Sequence, residues 1–466
     1  VNVEREGSTP LWVACLKGHS EIVRKLLKEG ANIEMAIYDG ATPLYIACEK
    51  GFKNVVEILL KNGAQVDKAT ENGSTPLFVV CANGHREIAE ILIQNGADVN
   101  WKRTGDGSTP LCIASACSDP TTVSILIKSG ARVDARTVDG GTPLLNASAA
   151  GWLENVEILV MNGAEVDCAT STRVTPLFAA CAIGCDKVVE FLLKCGANID
   201  ISTALDGATP LFVACQRGHE SVVNILIRSG ASIEKSTNDG ASPLYIACLR
   251  GHSNVVELLV GNGSDVENGR TVDGTTPLQI ACVNGHLKVV EILIRKGAAV
   301  GRPRASDGAT ALHVASGNGH LDVIEALLRA GADVDQISML DGISPLFVAC
   351  IAGHTSVAEV LIRNGANIEV RTATQGVTPL FAACQRGHLS VVDLMIKNGA
   401  DVNAVCTEYA TNPLFISCMM GHVIVADVLI RNGAEIDMFR RSDGMTPLAI
   451  ACFRGFQEIW RMLATR

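Results

Sequence analysis

The sequence predicts an all-α solenoid in which helix–turn–helix repeats, joined by hairpin-like loops, stack along the 466 residues. Three observations predict it. A landmark Pro returns every 33 or 34 residues, at 10, 43, 76, 110, 143, 176, 210, 243, 277, 345, 379, 413 and 447, with Ala311 in the remaining slot. From each landmark to the Val or Ile that closes the unit (Ile33, Val66, Val99 and onward to Ile436) is always 23 residues. The stretch from that aliphatic to the next landmark is 10 or 11, so all length variation sits in one connection. A rigid body joined by a tolerant surface loop behaves in this way.

The phrase around Pro210 shows why each body reads as two helices. Thr209 can cap the first helix, and Pro210 suits its first turn, where no amide donor is missed. Leu211, Ala214 and Cys215 then share one face. Gly218 breaks the chain, and Val222, Val223, Leu226 and Ile227 form the apolar stripe of a second helix. Gly230 ends that helix, as a residue able to turn left-handed. The loop that follows usually carries Asp-Gly, as at Asp239-Gly240 and Asp273-Gly274, which favours a tight turn. The approximate repeats are 7–39, 40–72, 73–106, 107–139, 140–172, 173–206, 207–239, 240–273, 274–307, 308–341, 342–375, 376–409, 410–443 and an incomplete 444–466. Together they predict a single array over 1–466.

One repeat cannot stand alone. Ordering about 33 residues costs on the order of 1–2 kcal/mol each, whereas six or seven buried aliphatics return only about 1.5–3 kcal/mol apiece. Stacking buries a second side of every helix pair, so each copy serves as its neighbour's core.

The chain is 48% hydrophobic, 19% charged and 4% aromatic, with a net charge of -10. The acidity argues against nucleic acid or anionic lipid as a general partner. No apolar run approaches the roughly 20 residues of a membrane span, so no membrane insertion is expected. Eleven of the 17 cysteines occupy one slot, five residues after the landmark: 15, 48, 81, 181, 215, 248, 282, 350, 384, 418 and 452. Ser115, Ser148 and Ser316 fill it elsewhere. A small buried residue is wanted there. Successive slots at helix-packing distance, about 8–10 Å, lie beyond disulfide reach. Reduced thiols in an intracellular, cytoplasmic protein follow.

The segments "DGATPLYIACEKGFKNVVEILLKNGAQV" (39–66) and "DGATALHVASGNGHLDVIEALLRAGADV" (307–334) resemble ankyrin repeats in period and in their Thr-Pro-Leu-His-like core. The resemblance recurs in register along essentially the whole chain. It implies an ankyrin-type α-solenoid with finger loops and a concave partner-binding face. Three departures put finger or turn geometry in question. The Thr-Pro-Leu-His histidine survives only as His313. Repeat 4 reads Ser118-Asp119-Pro120 in place of the Gly-His turn, so its second helix is expected to start differently. The fingers entering repeats 6 and 13 lack Asp-Gly and read Thr172-Arg173 and Tyr409-Ala410.

The chemistry-bearing residues favour structure over catalysis. Eight repeats contain Cys-x3-His, among them Cys15/His19 and Cys384/His388, but the Cys faces the helix interface while the His follows the turn Gly and is expected to bond neighbouring backbone. Repeat 6 adds Cys185 and Cys195 to Cys181, and a metal or redox role is the competing reading there. No phosphate loop, Cys-x2-Cys pair or His-Glu-x2-His helix is present. Neither catalytic residues nor a cofactor are expected.

Two patterns run along the array. The slot two after the landmark is aromatic in repeats 1–3, 6–8 and 11–13: Trp12, Tyr45, Phe78, Phe178, Phe212, Tyr245, Phe347, Phe381 and Phe415. Packing between first helices and fingers is the plainer reading, and a partner-binding stripe the sharper one. The slot seven after it is often basic: Lys17, Lys50, Arg217, Arg250, Arg386 and Arg454. A solvated face is the plainer reading here. The sharper one makes Phe212, Arg217, Tyr245, Arg250, Lys17, Lys50 and Arg386 the partner-contacting residues, with repeats 7 and 8 the preferred zone for an acidic or aromatic protein segment.

The function expected is a non-catalytic protein-interaction scaffold. Two alternatives stay open: a targeting region of a larger enzyme or membrane protein, and an oligonucleotide- or ligand-binding array using aromatics beside Arg. A finished array needs polar end units. Repeat 1 starts abruptly with Trp12 and Val13 on its first helix, so the natural protein is expected to continue before Val1. The early stop of the last helix, despite Arg461 and Arg466, points the same way at the other end.

Overall fold

A computed structural model describes residues 8–408 and 410–465. These form 28 helices and, among the described residues, no β-strand. They gather into two compact units, 1–238 and 239–466. Each unit holds seven helix pairs in chain order. Within a unit, every first helix packs on its own second helix and on the first helix of the next repeat.

The caps explain why helices begin where they do. Thr9 accepts a hydrogen bond from the Trp12 amide at 3.1 Å, and Thr209 accepts one from Phe212 at 3.1 Å. Ser242, Ser344 and Asn412 do the same in their repeats. Such a side-chain cap is worth about 1 kcal/mol. Pro occupies the first turn without losing a bond. Many first helices end on a left-handed glycine such as Gly218 or Gly387, with φ of 76° and 74°.

The variable connection is a finger of two sizes. After a 10-residue stretch the tip closes by Gly40 N–H bonding Ile37 O at 2.9 Å; after an 11-residue stretch Gly107 N–H reaches one residue further, to Arg103 O at 2.9 Å. Many fingers also bond the next. The Glu71 amide donates to Asp39 O at 2.9 Å, and Ala373 to Asp341 O at 2.8 Å.

The sequence departures resolve locally. In repeat 4 the second helix begins at Pro120, ten residues after the landmark as second helices do elsewhere, and the difference expected at its start lies in the cap. Its cap does differ: Asp119 accepts from the Thr121 amide at 3.0 Å. The first helix shortens to Pro110–Ser115, and Asn155 of repeat 5 donates to the freed carbonyls of Ser115 and Cys117 at 3.1 and 2.7 Å. In the fingers without Asp-Gly, Arg173 and Ala410 take φ of 63° and 52°, the left-handed conformation that glycine supplies elsewhere. Tyr409 and Arg466 lie outside the described residues.

Candidate partner-binding surface

The cysteine slot lies in the core. Cys15, Cys48, Cys81, Cys181, Cys215 and their equivalents are buried and free; Cys452, in the last repeat, is exposed. Burial pushes the thiols of Cys15, Cys384 and Cys418 up to about 12, and those of Cys48, Cys81 and Cys181 higher still. Such thiols are poor nucleophiles and poor ligands. Ser115 satisfies its hydroxyl on Leu111 O at 2.7 Å, whereas Ser148 and Ser316 have no partner for theirs among the described residues.

The histidine after the turn glycine works between repeats. Nε2 of His85, His219, His320 and His388 bonds the carbonyls of Glu49, Ala182, Val283 and Ile351 in the preceding repeat at 3.0–3.2 Å. Each ring sits on the preceding turn glycine: a Cβ at Gly51 would come within 2.7 Å of His85. Trp152 fills this slot in repeat 5 and donates its indole N–H to Ala116 O at 2.9 Å. In repeat 6, Cys185 packs over Gly151 instead, while Cys195 caps the far end of the second helix and is exposed. Among the described residues no three His, Cys, Asp or Glu converge.

The slot two after the landmark supports the next finger. Trp12 donates its indole N–H to Ala41 O at 3.0 Å. Gln279 and His313 reach the next finger's backbone in the same way, Gln279 to Ala309 O at 3.1 Å and His313 to Ile343 O at 2.9 Å. With Nε2 donating to that carbonyl, His313 Nδ1 is left to accept from the Thr310 amide, and burial lowers its pKa. Phe212 and Tyr245 are only 6% and 4% exposed. Their rings are largely covered by their surroundings. Arginines from the next finger lie over three of these rings: Arg103 over Phe78 at 5.0 Å, Arg270 over Tyr245 at 6.0 Å and Arg440 over Phe415 at 5.4 Å.

The basic slot is exposed throughout. Lys17, Lys50 and Arg217 in the first unit, and Arg250 and Arg386 in the second, end their first helices with solvent-facing side chains. Lys50 bonds Glu49 at 3.2 Å; Lys17, Arg217, Arg250 and Arg386 have no ion-pair partner among the described residues.

A family model described as ankyrin repeats (3 copies) matches residues 1–70, 66–137, 121–203, 188–269, 264–338 and 334–406. The chain belongs to the ankyrin-repeat family. No curated protein matches it.

Two features of this ankyrin chain escaped sequence reasoning. Fingertips carry bare apolar side chains: Tyr38 and Val138 are both 81% exposed, and Leu205, Val272 and Leu340 stand out similarly. The signal was an apolar residue just before Asp-Gly, where a tight turn points it outward. The second feature is a groove of about 430 Å³ in the second unit, walled by Phe347, Phe381 and Phe415 below and by Thr372, Gln375 and Arg440 of the fingers above. It follows the third block of aromatics, so the block was visible in the sequence but the open space beside it was not.

Proposed function

We propose that this ankyrin array is a non-catalytic, intracellular scaffold that binds protein partners through cations at the ends of its first helices and through its fingers. Ankyrin repeats are in general protein–protein interaction modules, and the described residues contain no helix long and apolar enough to cross a membrane. The observation that carries the reading is that Lys17, Arg217, Arg250 and Arg386, at one repeated slot, are exposed and have no ion-pair partner among the described residues. An acidic surface would supply the countercharge these side chains lack. The intracellular reading is supported by 17 free cysteines, most of them buried, since such thiols persist where the environment is reducing.

The test is affinity capture from the native source with the full chain and with a variant carrying Arg217→Glu and Arg250→Glu, read by mass spectrometry. A partner set that weakens in the variant, and that weakens in the wild type as salt rises, supports the reading. Equal capture by both chains at low salt overturns the role of these two arginines.

A further inference from the structure

We propose that Asn72 is a self-modification site: in the folded chain its side chain closes onto the Gly73 amide and hydrolyses to aspartate and isoaspartate ahead of the other Asn-Gly pairs. The chain holds twelve such pairs. The dipeptide is chemically labile because glycine has no side chain to shield its amide nitrogen from the preceding carboxamide.

The step is balanced with water as the only co-reactant. The Gly73 amide gives its proton to hydroxide, and its nitrogen attacks Asn72 Cγ. A C–N bond forms, the Cγ–Nδ2 bond breaks, and the nitrogen leaves as ammonia with a proton taken from water. Water then opens the five-membered imide at either carbonyl. One opening restores the ordinary main chain with an aspartate; the other routes the main chain through the side chain as isoaspartate.

The fold treats the twelve pairs unequally. In ten of them the side-chain nitrogen that must leave is tied to a backbone carbonyl. Asn62, Asn162 and their equivalents at helix ends donate to the carbonyl four residues back, both at 2.7 Å. Asn83 donates to Glu49 O at 3.1 Å. Swinging Cγ toward the glycine breaks that bond first. Asn268 is half-buried and has interactions of its own. Asn72, on an exposed fingertip, is the reverse case. Its Oδ1 accepts from the Thr70 hydroxyl at 2.7 Å and from the Ser74 amide at 3.0 Å, while its nitrogen has no partner among the described residues. Two donors aimed at the oxygen that gains charge stabilise the tetrahedral intermediate, and the leaving nitrogen faces solvent. The attacking amide is bonded in both settings, Gly73 N–H to Thr70 O at 2.8 Å and Gly63 N–H to Leu60 O at 3.0 Å, with Gly73 the more buried of the two.

The two products differ in consequence. Nine fingers already carry Asp at this position, and Asp39 accepts from Ala41 N at 2.9 Å as Asn72 does from Ser74. The aspartate product therefore keeps the turn and adds one charge to the finger. The isoaspartate product adds a main-chain carbon where space is tight, since a Cβ on Gly73 would collide with Thr104 N in the next finger.

The experiment incubates the folded full-length chain at mildly alkaline pH and maps peptides by mass spectrometry for the amide-to-acid mass change, with an isoaspartate assay. Losing one tethering hydrogen bond is worth roughly five- to tenfold in rate. Asn72 is therefore expected to convert at least about fivefold faster than any helix-end pair, and faster as pH rises. In denaturant, where tethers are gone, the advantage should vanish. Thr70→Val should slow conversion in the folded chain, and Asn72→Asp should remove the early isoaspartate signal. The proposal is overturned if a helix-end pair or Asn268 converts first in the folded chain, or if Asn72 keeps the same lead after unfolding.

Discussion

His286 shows what a single residue does in this array. Its ring lies against the turn glycine of the preceding repeat, and its Nε2 bonds Leu249 O at 3.2 Å. A Cβ on Gly251 would come within 2.6 Å of that ring, at a backbone φ of 76°. Gly263 has φ of 97° but nothing within 4 Å of such a Cβ. Alanine at Gly263 therefore meets only backbone strain, about 1 kcal/mol, whereas Gly251→Ala adds overlap worth about 1–3 kcal/mol more. Denaturant midpoints of the two variants should separate accordingly, and equal losses would mean that the ring does not hold the turn. The Cys-x3-His spacing was legible in the sequence, and so was the expectation that the histidine bonds backbone. Which backbone was not: the acceptor lies 37 residues earlier, and only stacking brings it near.

At the scale of an element, the finger is where the sequence was read best and least. Its position and its two lengths follow from the 10- and 11-residue stretches. Its internal chemistry does not, because an arginine and the ring it covers lie 25 residues apart, as with Arg103 and Phe78, and only the stacking of finger on helix brings the two slots together. Four longer fingers carry Arg-x2-Asp-Gly, and Arg304 Nε donates to Asp307 Oδ1 at 2.9 Å. The Arg304 guanidinium holds the Asp307 carboxyl below the usual carboxylate range, against the opposing effect of burial. A carboxylate with a depressed folded-state pKa contributes stability that is present above its unfolded pKa and is lost as pH falls through the folded one. The pair is partly exposed, so Asp307→Asn should lower stability at pH 7 by only about 0.5–1 kcal/mol. The gap between variant and wild type should then close as pH drops below about 4. Unfolding curves across that range check it, and a gap that persists in acid would assign the effect to packing.

On the scale of the molecule, the claim inherited from the sequence is that repeats share one interior, and the first unit offers a place to test it. Leu177, in the first helix of repeat 6 (Pro176–Ile183), is fully buried, and that helix packs on the first helices of repeats 5 and 7. Leu177→Ala removes contacts and leaves a cavity, a loss of about 3–4 kcal/mol. If each repeat owned its core, the damage would stay within repeat 6. Because the neighbouring first helices form part of the same packing, the loss should spread to them as nearest-neighbour energy. Hydrogen exchange on the full chain should therefore show faster opening of amides in Pro143–Ala150 and Pro210–Arg217 as well as in repeat 6 itself. Acceleration confined to residues 173–206 would show the repeats to be independent modules on a string, and the energy argument that made repetition a folding requirement would fall with it.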